Sequence, residues 1–235
     1  MTADSVRVLA VSDEVDQALS YNPSAVASAQ LILACGDLPF DYLGSLMARL
    51  DIPLVFVPGN HDPDISGYRT SRAGLQLRAG IPVEPPWPAG AVNIDGRIAE
   101  VAGLTIAGLG GCVRYRDGPN QYTQRQFGRR ARRLAATQRW RAVRGRGPID
   151  VLLTHAPPLG VGDGEDAAHR GFSALHPLIA RTSPELLLHG HVHPYGVDTP
   201  DLTIGATTVR NVVGWHLFDV PARHQHDPTD VRHGS

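Results

Sequence analysis

A chain of 235 residues with 42% hydrophobic content and a formal net charge of -1 is sized and balanced for an α/β domain with a sizeable core. That balance argues against a general polyanion binder, and no apolar run approaches the ~20 residues of a membrane span. Two cysteines, Cys35 and Cys112, are too few for a disulfide framework, so a reduced cytoplasmic setting is expected; the absence of Lys reads as a GC-rich bacterial genome.

Val6–Val11 is the first predicted strand, with no basic-then-apolar leader before it, so no signal peptide is expected. Leu31–Ala34 and Leu54–Val57 follow, each after about twenty residues, a gap that suits a crossover connection. Tyr42–Leu50 reads as the helix of the second gap. From 91 to 107, short strands alternate with the turn pairs Asp95-Gly96 and Ala102-Gly103. The stretch 125–146 is rich in Arg and sets Phe127, Ala131, Leu134 and Ala135 at helical spacing, which predicts an amphipathic helix with a basic face. Val151–Thr154 and Glu185–Leu188 read as further strands, as do "LTIGATTVRNVV" and "WHLFDV". Most of these runs are continuously apolar, as strands covered on both faces are. They predict two facing sheets flanked by helices, one domain over 1–222, and a disordered polar tail over 223–235.

Each strand runs into polar chemistry. The first ends at Asp13, the second at Gly36-Asp37, the third at Gly59-Asn60-His61-Asp62, the fourth at His155, and the fifth at Gly190-His191-Val192-His193. Any one of these has a plain structural reading as a turn or a helix cap. Five together, at the carboxyl edge where open α/β sheets bind ligands, point to a metal site.

In this order the motifs resemble those of the calcineurin-like metallophosphoesterases, over about residues 6–193. The resemblance implies a four-layer αββα sandwich and an enzyme that hydrolyses a phosphodiester or phosphomonoester. It implies two divalent metal ions, Mn, Fe or Zn, roughly 3.5 Å apart. The first takes Asp13, Asp37 and His193; the second takes Asp37, Asn60, His155 and His191, with Asp37 bridging. A hydroxide bridging the metals is then the nucleophile, His61 the general acid, and Asp62 the residue that orients the His61 imidazole.

The chain departs from the family pattern at Val15, where the first motif carries His. Water or Asp16 are open as substitutes, and Asp16 reads equally as the cap of the following helix. A Tyr that serves this metal in some relatives is replaced by Phe40. Glu14 is expected to face solvent. Arg114 and Arg116 are candidates for holding a substrate phosphate, or else partners of Asp117 or nearby acids. The loop after His155, with Asp163 and His169, is a candidate substrate lid. A small-molecule phosphoester is the expected substrate, with neither nucleic acid nor membrane as partner. Two other readings are a metal-poor binding scaffold and a nuclease using the Arg-rich helix.

Overall fold

The computed structural model describes residues 5–194, 196 and 199–222. The expected disordered tail, 223–235, lies outside them. The chain begins with β1 (Ser5–Ser12), α1 (Gln17–Tyr21), β2 (Leu31–Ala34), α2 (Phe40–Leu50) and β3 (Leu54–Phe56). A small antiparallel sheet of β4 (Tyr68–Thr70), β5 (Gln76–Arg78) and β6 (Ile81–Pro82) precedes β7 (Val92–Asn93). Next come the hairpin β8 (Ile98–Val101) and β9 (Leu104–Leu109), the short pair β10 (Cys112–Val113) and β11 (Gln121–Tyr122), and α3 (Gln124–Val143). The last elements are β12 (Val151–Thr154), α4 (Leu175–Thr182), β13 (Leu186–His189), β14 (Leu202–Ile204), β15 (Thr207–Asn211) and β16 (Gly214–Pro221).

Two main sheets result, ordered β16-β1-β2-β3-β7 and β14-β15-β13-β12-β9-β8. Strands β1, β2 and β3 run parallel in the first, and β9, β12, β13 and β15 run parallel in the second. Each sheet therefore presents a row of carboxyl ends at one edge.

Side-chain alternation along β1 shows why the layers stack. Val8 and Ala10 enter the core between the sheets with Leu31, Ile106 and Leu153. Leu9 and Val11 face the other way, onto Leu19, Leu43 and Leu46 of α1 and α2. On the far sheet, Ala107, Leu109 and Leu152 pack against Phe127, Leu134 and Leu178 of α3 and α4. Burying each large apolar side chain contributes about 1.5–3 kcal/mol, so both faces of both sheets are covered and the αββα sandwich forms.

Helix α3 starts with a capping box, Thr123 and Gln126 each bonding the other's backbone. It buries Phe127, Gly128, Ala131, Leu134 and Gln138, while Ala135 is only partly covered. Of its basic face, Arg130 pairs with Asp95 and Arg141 with Glu100, which Arg146 also meets. Part of the expected basic face thus anchors the helix to the chain's own acids.

Candidate metal centre

The backbone bends sharply at the strand ends that carry the motifs. Asp13, Asp37 and His191 all adopt left-handed conformations, with φ of 61°, 57° and 68°. Such backbone costs about 1–3 kcal/mol per residue bearing a side chain, and it concentrates at functional sites. Two glycines make room for the resulting crowding. A Cβ on Gly59 would overlap the Asp37 carboxylate, and one on Gly190 would overlap Ser12 Oγ and the Asp13 carboxylate.

The turns bring donors of the two sheets together. One carboxylate oxygen of Asp37 and one ring nitrogen each of His155 and His191 lie within 4.8 Å of one another. His155 Nδ1 is 2.8 Å from the carbonyl of Cys35, and because a carbonyl only accepts, Nδ1 carries a proton. Its Nε2 faces Asp37 Oδ2 at 3.3 Å and Asn60 Oδ1 at 3.0 Å. His191 Nε2 donates to the carbonyl of Ala168 at 2.7 Å, which leaves Nδ1 with its lone pair. Outer bonds of this kind set the tautomer of metal-binding imidazoles.

The electrostatics match. Burial and the neighbouring His155 push the His191 imidazole down to about 3, so it is a neutral donor at physiological pH. Burial alone would also lower His155, but the facing Asp37 carboxylate lifts it to about 9. Burial likewise opposes the charge of Asp37, yet His155 holds its carboxyl below the ordinary value. A carboxylate and two imidazoles in this space fit a divalent transition cation, which would compete with the His155 proton.

Asp13 and His193 form the second group of donors. Asp13 Oδ2 accepts from the His191 amide at 2.9 Å and from Ser12 Oγ at 2.5 Å, while Asp13 Oδ1 is 3.9 Å from His193 Nε2. Val15 adds no donor, and Asp16 is the N-cap of α1, accepting from the amides of Ala18 and Leu19. Glu14 does not simply face solvent, since its Oε1 lies 3.0 Å from His193 Nδ1.

His61 is exposed at the edge of the cluster, and its amide donates to Asp37 Oδ1 at 2.7 Å. Asp62 was expected to orient the His61 imidazole. Its Oδ2 instead accepts from the amides of Gly59 and Asp37, at 2.7 and 3.1 Å, bracing the two turns against each other. Burial raises this carboxyl to about 6, with the Gly59 amide opposing and the Asp37 charge adding.

At the rim, Arg114 and Arg116 are exposed; Arg114 donates to the Gln121 carbonyl, and Arg116 lies over the Tyr115 ring, 5.3 Å from its centroid. Neither forms an ion pair with Asp117 among the described residues. Asp163 accepts from the amides of Gly160 and Gly171, so its carboxylate closes the loop on itself. His169 pairs with Asp166 at 2.8 Å, and its ring centroid is 5.3 Å from that of His191.

Two residues escaped the sequence reading. Asn120 Nδ2 donates to the Gly59 carbonyl at 2.8 Å, and the Tyr115 hydroxyl accepts from Asn60 Nδ2 at 3.5 Å. Both lie in the loop already singled out for its arginines, but neither belongs to a local motif.

A family model described as calcineurin-like phosphoesterase matches residues 10–195, and the chain belongs to that family, whose members in general hydrolyse phosphoesters with divalent metal. One solved structure superposes with a TM-score of 0.61 at 15% identity, over 92% of this chain and 95% of its own. Another, TT1561 of Thermus thermophilus, does so with a TM-score of 0.59 at 15% identity, over 94% of this chain and all of its own. These two likenesses extend to the fold. Comparison with curated proteins yields no match.

Proposed function

We propose that this chain is a metal-dependent hydrolase of a small phosphoester, either a monoester or a diester, acting as one domain over residues 1–222 in the cytoplasm. Two divalent cations, Mn, Fe or Zn, would be held by Asp13, Asp37 and His193 and by Asp37, Asn60, His155 and His191. The observation that carries the reading is the convergence of Asp37, His155 and His191 donors within 4.8 Å, beside the paired Asp13 and His193. When bound, such cations acidify water and polarise phosphoryl oxygens.

The protein's own groups supply the rest. The carbonyls of Cys35 and Ala168 fix the His155 and His191 rings. His61, exposed beside Asp37, gives its proton to the leaving oxygen, a transfer typically worth ~10²–10⁴-fold. The exposed guanidinium groups of Arg114 and Arg116 suit the oxygens of a phosphate, and the His169 ring lies 5.3 Å from that of His191. No helix among the described residues is long and apolar enough to cross a membrane.

The test is hydrolysis of p-nitrophenyl phosphate and bis-p-nitrophenyl phosphate by purified protein loaded with Mn. Turnover of either ester that chelation abolishes and Mn restores is the expected result. A fully metal-loaded protein that cleaves neither ester would leave the scaffold reading in its place.

A further inference from the structure

We propose that Glu14 is the positioning residue of His193, and that this contact offsets the ligand missing at Val15. The proposal rests on the metal-dependent reading above, but its first test needs no metal. Glu14 Oε1 lies 3.0 Å from His193 Nδ1. A carboxylate only accepts, so Nδ1 carries the proton and Nε2 keeps its lone pair. That Nε2 faces Asp13 Oδ1 at 3.9 Å, and these two atoms would hold the first cation together. Glu14 thus takes the ring nitrogen opposite the one that would bind the cation. An outer carboxylate placed this way fixes the tautomer and raises the basicity of the coordinating nitrogen.

The other side chains near the position left by Val15 are engaged elsewhere. Asp16 caps α1 through Oδ1 and accepts from Trp215 Nε1 at 2.7 Å through Oδ2. Phe40 opens α2 and packs edge-on against Phe56, with ring centroids 5.4 Å apart. Glu14, by contrast, is set up by the local backbone. The left-handed Asp13 and the 2.6 Å bond from the Glu14 amide to the Ser12 carbonyl reverse the chain sharply at the end of β1, and the Glu14 side chain meets His193 from the opposite sheet. The Glu14 side chain is 58% exposed, so the contact adds little to fold stability and acts on ring orientation.

The experiment pairs ¹⁵N NMR of the histidine rings in metal-free protein with titration by Mn(II) alone, on the wild type, Glu14→Ala and Glu14→Gln, with the His193 signals assigned through His193→Gln. In Glu14→Ala the His193 ring is expected to leave the pure Nδ1–H form, and the weaker Mn(II) site to lose about 10–100-fold in affinity while the tighter one is unchanged. Glu14→Gln, whose amide oxygen still accepts from Nδ1–H, is expected to keep the tautomer and most of the affinity. An unmoved tautomer in Glu14→Ala overturns the proposal. Equal loss of affinity in the Ala and Gln variants makes Glu14 a direct ligand and overturns it too. A wild type that binds no Mn(II) removes the compensating role along with the metal reading, whereas the tautomer still reports the contact itself.

Discussion

The amide of His191 donates to Oδ2 of Asp13 at 2.9 Å, although the two residues are 178 positions apart. Asp13 follows β1 of one sheet and His191 follows β13 of the other, so this bond closes the two carboxyl edges around the candidate centre. Gly190 permits the approach, since any Cβ there would overlap Ser12 and Asp13. Gly190→Ala is therefore expected to destabilise the fold by about 1–3 kcal/mol through overpacking and to weaken metal binding. Thermal denaturation with and without Mn measures both effects, and an unchanged melting temperature would refute the crowding argument.

Asp37 is the carboxylate shared by the two proposed metal positions, with Oδ2 facing His155 and Oδ1 accepting from the His61 amide. Asp37→Ala is expected to lose both metals and essentially all turnover. Metal analysis of the purified variant checks this, and full stoichiometry would remove Asp37 from the bridging role.

The His61 amide bonds Asp37 while its side chain is exposed beside the cluster, so the imidazole is not among the groups expected to hold metal. His61→Ala should keep its metal content but lose ~10²–10⁴-fold in kcat, most severely on esters with poor leaving groups. Equal losses across a leaving-group series would argue against proton donation by this imidazole.

Both cysteines are free and buried. Burial, with the Asp37 carboxylate nearby, pushes the Cys112 thiol up to about 12, and burial raises Cys35 well above its ordinary value. Thiolates are the reactive form, so iodoacetamide at pH 8 should label neither residue in the native protein and both after denaturation. Mass spectrometry of the two samples settles it, and fast native labelling of Cys112 would contradict the burial argument.

Arg210 holds Asp201 in a two-pronged pair, Nε to Oδ1 at 2.8 Å and Nη2 to Oδ2 at 2.5 Å. The hydrogen bonds from Arg210 lower the Asp201 carboxyl, so its stabilisation is complete above the unfolded value of about 3.9 and is lost as pH falls through the lower folded value. Both side chains are partly exposed, which limits the pair to roughly 0.5–1 kcal/mol. Asp201→Asn should show that deficit in denaturant unfolding at pH 7 and converge on the wild type toward pH 3. A deficit that persists undiminished at the lower pH would exclude the ion pair as its source.

Much of this protein is written locally. The apolar runs that became β1, β2, β12 and β13 carry their own signal of two-sided burial, and the Phe127–Ala131–Leu134 spacing announces α3. The motifs at the strand ends name Asp13, Asp37, Asn60, His61, His155, His191 and His193 by residue type and order. Their partners are another matter. That Asp62 braces the Gly59 and Asp37 amides, that Asp163 closes its own loop, and that Glu14 meets His193 depends on where a side chain points after a sharp turn. That direction is set by single left-handed residues and by contacts between segments far apart in the chain, which leave no period to read. Sequence determined which donor residues stand at the ends of the strands; only the packing of one sheet on the other decided which of their atoms face each other.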